Sequence, residues 1–176
     1  MSHDARIIPC TERHLPAIRD ILNDAILTST VLWDEEPRTL EGVTQWFEYR
    51  QRGGFPILGI ESAGGALAGF ATYGTFRTQC GYRFTVEHSV YVEKSRRGQG
   101  IGKALLRALI DTARAGGIHT LIGAIDASNQ ESIRFHQAFG FVHCGSIREA
   151  GRKFGRWLDL DFYQLILRTP GDPTES

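Results

Sequence analysis

Residues 96–103 read RRGQGIGK, three cations and three glycines in one short stretch. An alternating run, FTVEHSVYV, precedes it, and an amphipathic run, ALLRALIDTARAGG, follows it. Glycines let backbone N–H groups approach a ligand without Cβ interference. A helix opening at such a turn aims its first N–H groups at whatever lies there, which favours an anion. Arg96, Arg97 and Lys103 can add positive charge. The segment therefore predicts a pyrophosphate-binding turn built from Arg97, Gly98, Gln99, Gly100, Ile101, Gly102 and Lys103. A glycine-rich turn with solvated surface cations is the plainer alternative. The familiar nucleotide motifs do not fit. A P-loop needs a glycine where Arg97 stands and Ser or Thr where Ala104 stands. A dinucleotide fingerprint needs G-x-G-x-x-G beside a first strand, and this turn lies mid-chain with a different spacing.

The second chemical candidate is Glu87, a carboxylate in the hydrophobic run FTVEHSVYV. On a strand, Thr85, Glu87, Ser89 and Tyr91 share one face, and Phe84, Val86, His88, Val90 and Val92 share the other. Burial would raise the Glu87 pKa and help it take a proton from an ammonium group. A structural carboxylate paired with an arginine is the alternative. His88 points away from Glu87 and reads as a satisfied core histidine. The two do not make a metal pair, because adjacent strand residues diverge and no third ligand is evident. No metal is expected. Cys10, Cys80 and Cys144 form no Cys-x-x-Cys pair and no nucleophile constellation, so they read as reduced thiols of a cytoplasmic protein.

The elements that must hold these groups follow from periodicity. Residues 5–10 predict a strand, 11–26 a helix capped by Thr11, and 39–54 a helix capped by Thr39 and stopped by Gly53-Gly54. Two strands flank a Gly64-Gly65 turn, and FTVEHSVYV is a third. The helix after the glycine turn puts Leu105, Leu109 and Ala113 on one face, widened by Leu106 and Ile110, so it packs on a sheet. Then come strand HTLIGAI, helix NQESIRFHQAFG and strands FVHCGSIREA and DLDFYQLIL. The order β-α-α-β-β-β-α-β-α-β-β predicts one α/β domain over residues 1–176, with a core of about 5–168, a frayed tail at 169–176 and a mixed sheet flanked by helices. With 176 residues, 41% of them hydrophobic, the chain can bury a real core. Its 20 basic and 20 acidic residues advertise neither a nucleic-acid surface nor a polybasic membrane patch. No apolar run approaches the ~20 residues that span a bilayer, and the start MSHDARIIPC has no apolar segment of a signal peptide.

Arg97-x-x-Gly100-x-Gly102 resembles the acetyl-CoA pyrophosphate motif of the GCN5-related N-acetyltransferase (GNAT) superfamily. The resemblance covers nearly the whole chain in element order. TSTVLWDEEPRT, YGTFR, GYRFTVEHSVYV, SNQESIRFHQAFGF and GRWLDLDFYQL resemble the phosphinothricin and methionine sulfoximine acetyltransferase branch. The resemblance implies acetyl transfer from acetyl-CoA, by direct attack in a ternary complex, to a small amine. It implies Glu87 as general base, backbone groups of Val90, Tyr91 and Val92 along the pantetheine arm, and Asn129 and Ser132 near the cofactor. His136 stands where many members of the superfamily carry a tyrosine that protonates the leaving thiolate, so it is a proton donor or a cofactor contact. For the acceptor, Arg77 and Arg83 suit a carboxylate or phosphinate head, with Thr30, Trp33 and Phe76 as walls. A homodimer is implied too. An acetyltransferase for a polyamine, protein N-terminus or other metabolite, and a non-catalytic acyl-CoA-binding module, are the alternatives.

Overall fold

The computed structural model describes residues 6–167. The expectations for residues 5 and 168 and for a frayed tail at 169–176 lie outside the described residues.

Among the described residues, seven strands and four α-helices follow one another along the chain. They are β1 (Ile7–Pro9), α1 (Leu15–Thr28), α2 (Leu40–Arg52), β2 (Ile57–Glu61), β3 (Leu67–Thr75), β4 (Thr85–Val92), α3 (Ile101–Ala115), β5 (Thr120–Asp126), α4 (Gln130–Gln137), β6 (Val142–Lys153) and β7 (Arg156–Ile166). This is the order that the sequence predicts. One mixed sheet runs β1-β2-β3-β4-β5-β7-β6. Among the described residues, only β4 and β5 are parallel neighbours, which is the step that the α3 crossover makes possible.

Each helix covers the sheet with the stripe its sequence provides. Ile18 and Leu22 of α1 and Val43 and Phe47 of α2 pack on Phe70 of β3. On the other face, Leu105, Leu106 and Leu109 of α3 are fully buried against Ala71, Val86 and Leu121. Burial of each such side chain is worth about 1.5–3 kcal/mol, so both ends of these helices are held firmly. The Thr39 hydroxyl accepts from the Gly42 N–H at 3.0 Å and fixes the start of α2. Gly117, at φ 73°, stops α3.

The register of β4 decides what can bind there. Glu87 lies opposite Gly74, Ser89 opposite Thr72 and Tyr91 opposite Phe70, all on the α1/α2 face. His88, Val90 and Val92 therefore turn to the α3/α4 face, as alternation predicts. Pairing of β4 with β5 covers only Thr85–Glu87 against Thr120–Ile122. Beyond it the two strands splay and leave a gap.

The last two strands are longer than the sequence predicts and meet in a tight hairpin at Phe154-Gly155. Both turn residues take positive φ, 49° and 74°, as a two-residue primed turn requires. The sequence reading missed this turn because phenylalanine is not a turn residue. Helix α4 is also shorter than expected, ending at Gln137, since the N–H of Gly140 closes a turn onto the Gln137 carbonyl at 2.9 Å.

Candidate active site

The gap between β4 and β5 opens into a cleft of about 590 Å3. One end is the glycine turn. Gly98 and Gly100 sit at φ 77° and 82°, backbone conformations that side chains resist, and both have open space around them. The first intrahelical bond of α3 runs from the Ala104 N–H to the Gly100 carbonyl. The N–H groups of Ile101, Gly102 and Lys103 are thus free to meet an anion at the cleft. Arg97 borders the same end and pairs with Asp24 at 3.0 Å, which ties the turn to α1. Gln99 turns away from the cleft and donates to the Ser95 carbonyl at 3.2 Å.

Along the splay, strand geometry selects which backbone groups face the gap. The Glu93 N–H donates to the Ala68 carbonyl of the β3 side at 2.9 Å. In an antiparallel ladder alternate residues point the same way, so Tyr91 and Ser89 also spend their backbone groups on β3. Val90 and Val92 turn theirs toward β5, and the Arg97 Nε lies 3.4 Å from the Val92 carbonyl on that side. The backbone of Tyr91 pairs with β3 and its ring lies on the opposite face, while the residue still borders the cleft.

The far end of the cleft holds Asn129, Ser132, His88 and His136. Asn129 caps α4 by accepting from the Ser132 N–H at 3.0 Å. His88 Nδ1 lies 2.8 Å from the Ile122 carbonyl, and His136 Nδ1 lies 2.7 Å from the Ser132 carbonyl. The two rings meet Nε2 to Nε2 at 3.0 Å. Both are nearly fully buried, and burial pushes both pKa values down. For His88 the value falls to about 3, with repulsion from His136 as the second cause.

Across β4, a smaller hollow of about 190 Å3 lies under α2. Arg38, Trp46 and Arg50 line it, and Ser89 and Tyr91 line both this hollow and the cleft. Arg50 fills the space above Gly74: a Cβ at Gly74 would fall 1.3 Å from its Nη1. Gly74 is the cross-strand partner of Glu87, so the guanidinium stands beside that carboxylate. The Arg50 Nε is buried without a hydrogen-bond partner. Glu87 keeps an open path to solvent, yet the protein crowded around its carboxyl raises the pKa, and the Arg50 charge opposes that rise.

The acceptor residues expected from the sequence fall in two places. Thr30 donates to Asp126 at the end of β5, and the Trp33 Nε1 donates to the Thr30 carbonyl at 3.0 Å. Phe76, Arg77 and Arg83 sit on the segment after β3, where Arg77 stacks on Phe76 and Arg83 on Phe84. They border neither the cleft nor the hollow. Sequence reasoning missed Arg50, Arg38 and Trp46. It also missed Lys153, which is buried and donates to the Ser29 and Leu32 carbonyls at 2.9 and 2.5 Å, holding the segment after α1 in place. Among the described residues, no three His, Cys, Asp or Glu side chains cluster as metal ligands. No described helix is long and apolar enough to cross a membrane.

A splayed parallel strand pair, a glycine turn at a helix N-terminus and a carboxylate on the neighbouring face define an acyl-CoA-dependent acyltransferase. The acetyltransferase (GNAT) family matches residues 16–141, and the chain belongs to that family. It is similar to an L-methionine sulfoximine/L-methionine sulfone acetyltransferase of Pseudomonas paraeruginosa, with 48% identity over 92% of each chain. Among solved structures, it superposes on an N-acetyltransferase from Staphylococcus aureus with a TM-score of 0.90 and 45% identity, covering 93% of this chain and 98% of that one. It also superposes on a phosphinothricin acetyltransferase from Sinorhizobium meliloti in complex with acetyl-CoA, with a TM-score of 0.89 and 33% identity, covering 93% and 88%. The chain is an acetyl-CoA-dependent N-acetyltransferase acting on a small amine.

Proposed function

We propose that the enzyme moves the acetyl group of acetyl-CoA to the α-amine of a small amino-acid-like molecule of the L-methionine sulfoximine or L-phosphinothricin type. The observation that carries this reading is the meeting of the cleft and the arginine-lined hollow at Ser89 and Tyr91, two and four residues along β4 from Glu87. In this reading the pyrophosphate rests on the Gly98–Lys103 turn and the pantetheine arm lies along the backbone of Val90 and Val92. The acceptor's carboxylate engages Arg50 and Arg38, whose forked donors suit such a group, in place of the more distant Arg77 and Arg83. Its ammonium then faces Glu87. A carboxylate with a raised pKa takes the proton more readily than an ordinary one. The neutral amine attacks the thioester carbon directly, and the Val90 N–H is the backbone donor we assign to the developing oxyanion.

The size and charge of the hollow favour this acceptor class. At about 190 Å3 it is smaller than the ~300–1,000 Å3 of drug-sized ligand sites. A polyamine would seek carboxylates there, and the hollow offers two arginines. The free thiols of Cys10, Cys80 and Cys144 suit a reducing cytoplasm. We further infer that two copies pair through the exposed apolar side chains of β6 and β7.

Thiol release from acetyl-CoA, measured over a panel of amines, tests the reading. The panel holds L-methionine sulfoximine, L-phosphinothricin, the common amino acids, a polyamine and a short peptide. Saturable turnover with the first two and little with the rest is expected. Turnover confined to the peptide or the polyamine overturns the acceptor class.

A further inference from the structure

The pair Gly53-Gly54 does more than stop α2. The Gly54 N–H donates to the Gln51 carbonyl at 3.0 Å, and the Phe55 N–H donates to the Arg50 carbonyl at 2.9 Å. With Gly54 at φ 68°, these two bonds make a Schellman turn. Such a turn folds the residue after the left-handed glycine back onto the last helical turn, frequently against an apolar side chain. Here the returning residue is Phe55, and the side chain it meets is Arg50. The two glycines are needed for different reasons. Gly54 supplies the positive φ. Gly53 has an ordinary φ of −78°, but a Cβ on it would fall 2.6 Å from Cε2 of Phe55, so the missing side chain lets the ring lie back along the helix. Pro56 then disfavours helical backbone at Phe55, and the Thr72 hydroxyl of β3 donates to the Pro56 carbonyl at 2.7 Å.

The result is an aromatic slot for a guanidinium. Arg50 Cζ lies 5.8 Å from the centroid of the Phe55 ring and 5.7 Å from that of the Trp46 ring, within cation–π range of both. Each ring is held in turn. Phe55 stands edge-on to Tyr73 at 6.1 Å, and Trp46 stands edge-on to Phe70 at 6.1 Å. Gly74 of β3 leaves its side-chain space to the Arg50 Nη1. Packing holds this arginine, and ion pairing does not. Arg38, on the same hollow, is tied to Asp34 at 3.2 Å. Arg50 joins none of the salt bridges among the described residues, and its Nε is buried without a hydrogen-bond partner. A cation oriented by rings, with its donors left free, is prepared for an incoming anion.

We propose that Phe55 is a positioning residue for the acceptor amine: folded back by the Schellman turn, it holds Arg50 against Trp46 and Gly74, so that the guanidinium stands ready for the acceptor's carboxylate beside Glu87. The proposal rests on the acetyl-transfer reading above, which gives Arg50 that carboxylate, and adds how a long side chain is fixed before the amine arrives. An arginine oriented in advance loses less rotamer freedom on binding, so the gain appears in acceptor affinity. Phe55 borders neither the cleft nor the hollow, so it acts through Arg50 and not by touching the amine. The titratable groups whose charge reaches the guanidinium are Glu87 and Tyr91 of β4, Tyr49 of α2 and Arg38 before α2. Glu87 is the one whose ionisation the reaction uses, so the place of the guanidinium is also legible in the pH dependence of turnover.

Nitrogen-15 NMR of the unliganded full chain tests the slot. The Arg50→Met variant assigns the Arg50 Nε–H signal. Held against two rings and without an acceptor, that hydrogen should resonate upfield of those on exposed arginines. It should move back toward them in Phe55→Leu, and also in Gly53→Ala, which keeps the ring and the guanidinium in the chain but pushes them apart. An Arg50 signal among those of the exposed arginines in the unsubstituted protein overturns the slot. Kinetics test the positioning. In Phe55→Leu, KM for the amine should rise about tenfold, with kcat above the acid limb and KM for acetyl-CoA unchanged. The Arg50 charge lowers the Glu87 pKa, so with the guanidinium displaced that pKa rises and the acid limb of log kcat/KM moves to higher pH. Both changes should vanish when Phe55→Leu is made in Arg50→Met, because the ring then has nothing to position. A KM for the amine that Phe55→Leu leaves unchanged, or one that rises equally in the Arg50→Met background, overturns the positioning role. NMR needs no acceptor amine, so a failed amine panel and an arginine outside the slot are separate results.

Discussion

Glu87 and Arg50 are set against each other by a glycine. Gly74 leaves room for the guanidinium on the strand position opposite Glu87, so burial raises the carboxyl pKa while the arginine restrains the rise. A base works when ionised, so kcat/KM should fall as pH drops through this raised pKa, above the usual carboxylate range. Arg50→Met removes the restraining charge and should move the acid limb of log kcat/KM to still higher pH. It should also raise KM for the amine and leave KM for acetyl-CoA unchanged. Glu87→Gln should abolish the acid limb and lower kcat/KM by about a hundredfold or more. An acid limb that survives in Glu87→Gln assigns the base to another group. The sequence made Glu87 visible, because a carboxylate stands out in an apolar strand. It hid Arg50, which reads as one more cation in the last turn of a helix that also ends in Arg52. Only the tertiary contact with Gly74 distinguishes the two. The His88–His136 contact was hidden for the same reason: alternation tells which face His88 takes, but not which helix residue it meets there.

Among the elements, the glycine turn and α3 were the most legible. Their signals are local: positive-φ glycines, a helical stripe and an opening at a helix N-terminus. The free backbone of Val90 and Val92 was less so, because hydrogen-bond direction follows from the pairing register with β3, which composition does not reveal. Gly100→Val forces a β-branched residue into φ 82° at the start of α3. That strain, about 1–2 kcal/mol, is joined by a side chain in the anion's place. Calorimetry should show acetyl-CoA binding weakened by about tenfold or more, with the unfolding transition lowered only modestly. Unchanged affinity would remove the turn from the pyrophosphate site. The segment after α1 depends on β6 in a different way. Lys153→Met keeps the apolar stem and deletes the donor to the Ser29 and Leu32 carbonyls. Leaving these acceptors without their partner should cost about 1–3 kcal/mol, read as a lower midpoint in denaturant. An unchanged midpoint would mean that the segment is held by the Trp33 packing on Gly151 alone.

For the whole molecule, β6 is the unresolved debt of the fold. It is the longer of the sheet's two edge strands among the described residues, twelve residues against the three of β1, and an open edge invites another chain. Two register shifts and the charged Arg148, Glu149 and Arg152 blunt ladder-type pairing along it. The side chains nearby are a different matter. Val142 and Ile147 on β6, Phe154 at the turn, and Trp157 and Ile166 on β7 are each at least half exposed. Exposed aromatic and branched side chains gathered on one hairpin are better explained by a covered surface than by solvent. A second copy is the partner that the proposal names, because a symmetric pair would bury the same hairpin on both sides. Sedimentation should therefore give twice the 19.6 kDa chain mass at micromolar concentration. Trp157→Glu and Phe154→Glu, each placing a charge on the shared surface, should shift the protein toward monomer while its circular dichroism stays native. The hairpin also carries Lys153 and Gly151, which hold the segment after α1. Loss of the dimer should thus reach the acceptor side first, raising KM for the amine before KM for acetyl-CoA. A monomeric wild-type protein with full turnover would show that the apolar hairpin has another use.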